Sequence, residues 1–223
     1  MTTEQLVTTF VTLFVVIDPI GLAPVFVSLT RGMAPERRDA VGLRATLVAF
    51  GLLAVFGVAG KPILSAIGIG LPAFRISGGL LLFLIAVDML FEKRSERREK
   101  HVAEATADNP RPPAAPEDDA PDPSVFPLAT PLIAGPGALA TMILLGGREQ
   151  GDLLGTAALL GVMIAVLVLT YAFFRAGGLI ARALGHNGVV VVTRLFGILL
   201  AALAVQFVLE GLHTLGVMPA PPS

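Results

Sequence analysis

A chain of 223 residues that is 54% hydrophobic and 15% charged, with a mean hydropathy of +0.80, is too apolar for an ordinary soluble domain and reads as a polytopic membrane protein. The formal net charge of -1 conceals a strong segregation of charge along the chain and points to no nucleic-acid partner. The absence of cysteine excludes disulfides, thiol catalysis and cysteine metal sites.

In chain order, Met1 to Gln5 carries Glu4 and no Lys or Arg, so it lacks the basic start of a cleavable signal peptide and the first apolar segment is expected to be retained. That segment, residues 6–29, is interrupted by Asp18-Pro19-Ile20-Gly21, a carboxylate, a proline and a glycine at the depth of the bilayer midplane. Apolar segments 45–69 and 71–91 follow, joined by a tight turn at Gly68, Gly70 and Pro72. Residues 92–125 change character: a charged run from Glu92 to Lys100 is followed by a Pro-rich, acidic stretch that cannot bury enough apolar surface to offset chain entropy. A disordered linker is predicted there, its first part extending the third helix. Segment 126–145 carries a second midplane break, Ala134-Gly135-Pro136-Gly137, and segments 154–174 and 189–212 complete six spans of about 30 Å.

Each break sets a proline after a good helix cap, Asp18 or Gly135, so one half-helix stops and another starts. Backbone groups freed at that depth need partners, and such a break is tolerated where it lines a cavity; a kink absorbed by neighbouring helices is the plainer alternative.

The loops after spans one, three and five, with their flanks, hold thirteen of the 16 basic residues. The positive-inside rule therefore sets both termini outside the cytoplasm. The linker divides two related halves, 1–91 and 126–223. Arg75-x-x-Gly78-x-Leu80-Leu81-x-x-Leu84 matches Arg194-x-x-Gly197-x-Leu199-Leu200-x-x-Leu203, and Pro19-x-x-Leu22-Ala23 matches Pro136-x-x-Leu139-Ala140. A duplicated unit of three spans must be inverted in its second copy, the plan of many secondary transporters. The fold class predicted is thus an all-α polytopic membrane protein of six transmembrane helices in two inverted three-helix repeats, the first helix of each repeat broken at the midplane.

Several motifs resemble the MarC family of bacterial inner-membrane proteins, also called the neutral amino acid transporter family and related to the LysE-type exporters. They are Val16-Ile17-Asp18-Pro19-Ile20-Gly21-Leu22-Ala23-Pro24-Val25-Phe26, Arg75-Ile76-Ser77-Gly78-Gly79, Pro127-Leu128-Ala129-Thr130-Pro131-Leu132-Ile133-Ala134-Gly135-Pro136-Gly137, and Ala204-Val205-Gln206. The resemblance covers all but the linker. It implies a six-span fold, the inner membrane as location and transport of small solutes.

Two half-helix N-termini converging at the midplane suit a carboxylate, since each presents unpaired N–H groups and roughly half a positive charge. The candidate substrate-binding residues are Asp18, Pro19, Gly21, Gly135, Pro136, Gly137, Ala138, Thr141 and Gln206. A zwitterion is expected across the gap, its ammonium toward Asp18 and its carboxylate toward the span-four N-terminus near Thr141. Asp18 could instead couple protons, as intramembrane acids often do, or only cap its half-helix. Asp88 is a second proton-coupling candidate or a side chain snorkelling to the interface. Thr130, Thr141 and Ser77 line the cavity or bond across helices, and Arg75 and Arg194 read as interfacial anchors or as ligands. His101, His186 and His213 have no spacing that brings them together, so no metal site and no cofactor is expected.

The reading that leads is a secondary transporter of a small neutral zwitterionic solute, with the lipid bilayer and that solute as partners and small-residue faces that suit homo-oligomerisation. No Walker loop occurs, and an intramembrane enzyme lacks paired His-Glu, cysteine or Ser/His groups at membrane depth. A non-transporting membrane interaction protein, or an exporter of other metabolites or drugs, is the alternative.

Overall fold

The computed structural model describes residues 1–91, 97, 98, 100, 122–149 and 151–217. Among them every regular element is helical. The expected linker therefore lies, apart from Arg97, Arg98, Lys100 and residues 122–125, outside the described residues.

α1 (Thr3–Ile17) starts at a capping box, in which Thr2 Oγ1 accepts from the Gln5 amide and Gln5 Oε1 accepts from the Thr2 amide. It stops at Asp18, which takes the left-handed conformation (φ 58°, ψ 65°), and Pro19 opens α2 (Pro19–Leu29). The break is a single residue wide: the Asp18 amide still donates to Phe14 O (2.9 Å) and the Leu22 amide to Asp18 O (3.0 Å). Asp tolerates left-handed geometry better than most side chains, and its carboxylate caps α2 by accepting from the Gly21 amide at 3.1 Å.

α3 (Pro35–Ala66) begins ten residues before the apolar run that predicts it. Pro35 is preset for the first helical turn, so the charged stretch Glu36 to Arg44 is helical too. It ends as the turn signal requires: Gly68 is left-handed (φ 79°), its amide donates to Ser65 O, and the Ile69 amide donates to Leu64 O. α4 (Leu71–Leu90) returns.

The fourth segment is broken before Pro136 as expected, but its first half is not an ordinary α-helix. α5 (Ser124–Ile133) has wide turns closed by five-residue hydrogen bonds, Leu128 to Pro123 O and Ala134 to Ala129 O. Pro127 and Pro131 force the residues before them, Phe126 and Thr130, into extended geometry. α6 (Pro136–Arg148) then leaves at 58° to α5. α7 (Leu153–Thr214) is one helical run turned at Gly185 (φ 60°), with membrane-length arms Leu153–Ile180 and Asn187–Thr214. Among the described residues, five spans are thus long and apolar enough to cross a bilayer, and the bent α5–α6 pair makes up to six.

Ion pairs mark the two ends of the bundle. One end, rich in arginine, carries Arg44–Asp122 and Arg175–Asp39; the other carries Arg148–Glu210, with the Arg148 guanidinium 5.4 Å over the Phe207 ring. Glycine sets the closest helix approaches. A Cβ on Gly79 would meet Ala204 O at 2.8 Å, and one on Gly197 would meet Ala86 O at 3.1 Å, so α4 and the second arm of α7 lie antiparallel in close contact.

Candidate functional site

Asp18 is fully buried, at 0% exposure, and an isolated carboxylate there would be untenable. Its partner is Arg98, itself 5% exposed and 80 positions away, whose Nη1 donates to Asp18 Oδ2 at 2.8 Å while Nη2 donates to Ile17 O at 3.3 Å. The arginine therefore satisfies both the acid and a carbonyl at the helix break. Asp18 Oδ1 holds α2 and Oδ2 holds Arg98, so one side chain links the backbone break to the charge that faces it.

Gly21 is the residue that makes room for this pair. A Cβ there would fall 2.2 Å from Asp18 Oδ2 and 2.6 Å from Arg98 Nη1. Gly21→Ala is expected to push Arg98 off the carboxylate and cost about 1–3 kcal/mol, whereas Gly161→Ala, where a methyl meets nothing, should be close to neutral. Equal melting temperatures for the two variants would contradict this packing.

Beside the pair lies a cavity of about 350 Å³, at the low end of small-molecule pockets. Its polar wall is Arg98, Arg97, Asp88 and the start of α6, Gly135 to Ala138; Val16, Leu81, Ile85, Leu132 and Ile133 make much of the apolar remainder. Proline has no N–H and the Leu139 amide already donates to Gly135 O, so Gly137 and Ala138 supply the free amides of the first turn of α6. Asp88 is ion-paired with Arg97 at 2.5 Å. Because Arg97 is 68% exposed, that pair is screened and readily exchanged, unlike Asp18–Arg98.

Of the expected site residues, Gly135, Pro136, Gly137, Ala138 and Asp88 line the cavity, while Asp18, Pro19 and Gly21 sit buried behind Arg98. Thr141 is buried, yet its hydroxyl donates to Gly137 O within its own helix, at 2.8 Å. Thr12, Thr46 and Thr170 are satisfied in the same way. Gln206 lies exposed on the outer face of α7, because Ala204 and Phe207 on either side of it point inward. Ser77 and Thr130 are exposed as well. An ammonium on Asp18 would have to displace Arg98, a residue that the sequence reading assigned to the linker. The signal for it is the acid itself: a lone carboxylate at membrane depth demands a cation, although several arginines stand nearer in sequence than Arg98 and nothing local singles it out.

Residues 3–215 match the family described as MarC family integral membrane protein. The chain is 35% identical to the UPF0056 membrane protein YvbG of Bacillus subtilis over 210 residues, covering 94% of each. It is 37% identical over 207 residues to a UPF0056 membrane protein of Archaeoglobus fulgidus (91% of this chain, 90% of the relative), and 32% identical over 214 to the UPF0056 inner membrane protein YhgN of Escherichia coli (94% and 97%). No solved structure matches. With its helical spans, its broken first span and a family match running nearly from end to end, this chain belongs to the MarC family of integral membrane proteins.

Proposed function

We propose that the protein is a secondary transporter of a small neutral zwitterionic solute, amino acid-like, across the inner membrane, with its arginine-rich end toward the cytoplasm and both termini outside. The observation that carries this reading is the charge balance at the cavity: Arg97 and Arg98 against Asp88 and Asp18. A neutral zwitterion keeps that balance, whereas a net ion would leave one charge uncompensated in a poorly solvated site. The solute's carboxylate takes Arg98 and the amides of Gly137 and Ala138; its ammonium takes Asp88 in place of the exposed Arg97. Asp18 holds Arg98 in position and is the proton-coupling candidate.

Two further features support transport over scaffolding. The α6 start lines a cavity, which an interaction protein does not need. The antiparallel contact of α4 with the second arm of α7 brings together the segments whose Arg-x-x-Gly motifs match, as an inverted repeat would. The name of the Escherichia coli relative fits the inner membrane as location.

Reconstituted protein should accumulate radiolabelled alanine, serine or glycine in vesicles, and Asp88→Asn should lower uptake by about tenfold or more while the protein still inserts, as expected for losing one charge-assisted contact. Undiminished uptake by Asp88→Asn would overturn this orientation of the solute.

A further inference from the structure

α6 is a half-span: it starts at the cavity and ends at Arg148, at the end of the bundle opposite the arginine-rich one. It is buried from Ala140 to Gly147, so it fills the path between the cavity and that end. Its seam with α4 is shut at three levels. A Cβ on Gly137 would fall 2.5 Å from Ile85, one on Gly78 would meet Leu144 at 3.1 Å, and one on Gly147 would meet Leu71 at 2.8 Å. All three are apolar contacts, which have no directional bond to break.

What ties the tip of α6 is polar. Arg148 pairs with Glu210 on the second arm of α7 and stands 5.4 Å over the Phe207 ring of the same arm. Arg75, on α4, interacts with both members of that pair, yet its Nε is buried without a hydrogen-bond partner. Glu210 thus serves two guanidiniums and is ion-paired with one. Passing it from Arg148 to Arg75 would leave the acid paired throughout, so the two arrangements are close in free energy. At the other end of α6, Pro136 has no N–H to bond back to α5, and the chain bends by 58° at Ala134 and Gly135. That joint is a hinge.

We propose that α6 is the gate on the side opposite the arginine-rich end, hinged at Ala134 and Gly135 and latched by Glu210, which passes from Arg148 to Arg75 when the gate opens. The purpose of the gate rests on the transport reading, since a solute held beside Arg98 and Gly137 has to reach both sides of the membrane. Its existence is tested without any solute, so the two can fail separately.

The chain has no cysteine, and a single introduced thiol therefore reports on α6 alone. The test is the rate at which a water-soluble thiol reagent modifies Leu144→Cys in the full chain in lipid nanodiscs, with Ala140→Cys as the smaller change on the same buried face. Arg148→Gln should speed modification about tenfold, by losing the half-exposed ion pair and the contact with Phe207. Arg75→Gln should slow it about threefold, because Glu210 then has no second partner and α6 stays latched. With Glu210→Gln also present, Arg75→Gln should lose most of its effect. Ala45→Cys, fully buried on α3 toward the arginine-rich end, should keep one rate in every background. A purely structural cluster predicts that both arginine variants loosen the same end. Arg75→Gln that leaves the rate unchanged or raises it, Arg148→Gln without a rise, an Arg75→Gln effect undiminished by Glu210→Gln, or an equal rise at Ala45→Cys would each overturn the proposal. The expected rates together with no uptake of any small amino acid would overturn the transport reading and leave the latch standing.

Discussion

Arg98→Gln is expected to lower stability by about 3–5 kcal/mol, because it leaves Asp18 fully buried without its counter-charge. For a chain of this size that is a fall of about 6–20 °C in melting temperature in detergent micelles. Asp18→Asn should do comparable damage from the other side. Asparagine can keep both the left-handed backbone and the cap on the Gly21 amide, so what it removes is the charge. The double variant Asp18→Asn/Arg98→Gln should recover most of the loss, since a neutral hydrogen-bonded pair costs far less to bury than one stranded ion. If the single variants melt with the wild type, the pair does not hold the break together.

Gly146→Ala should be the most damaging single methyl in the membrane core. Its Cβ would fall 1.9 Å from Gly57 O, a backbone atom that can yield only if α3 and α6 separate. The expected cost is about 3 kcal/mol or more, at or beyond the upper end of ordinary overpacking. The reciprocal change, Gly57→Ala, meets Met142 Cε at 2.6 Å, the tip of a flexible side chain, and should cost about 1 kcal/mol or less. Gly51→Ala meets nothing within 4 Å and serves as the neutral reference. The order of the three melting temperatures is the check; Gly146→Ala and Gly57→Ala melting together would mean the helices are not in contact there.

Apolar runs and turn glycines made most of the architecture legible before any coordinates. Spans of about 20 apolar residues can do little else than cross a bilayer, and Gly68, in the turn read between the second and third spans, is the left-handed position that lets the chain reverse; the turn at Gly185 carried no such reading. What stayed hidden depended on partners distant in sequence or on helical phase. Arg98 sits in a charged run that local composition reads as solvated, and only Asp18, 80 residues earlier, makes it a core residue. Gln206 looked like a polar group facing inward, yet one residue of phase between Ala204 and Phe207 turns it outward. The wide turns of α5 follow from Pro127 and Pro131 four apart, each forbidding helical geometry to the residue before it. That signal was present in the sequence, but apolarity alone suggested an ordinary helix. The break at Gly135 and Pro136 was readable, and the bend of 58° that turns α6 toward the cavity was not.

The central claim, that the cavity beside Arg98 recognises a neutral zwitterion, is tested most directly by thermal shift of the purified protein with alanine and with two analogues, each lacking one charge: lactate, without the ammonium, and alaninamide, without the carboxylate. Selective binding to the folded state raises its apparent stability, by about 2.7 kcal/mol at a hundredfold excess over the dissociation constant. Alanine, serine or glycine should raise the melting temperature of the wild type, the two analogues should not, and Asp88→Asn should lose the response. A shift with lactate equal to that with alanine, or no shift with any of the small neutral amino acids, would contradict the account.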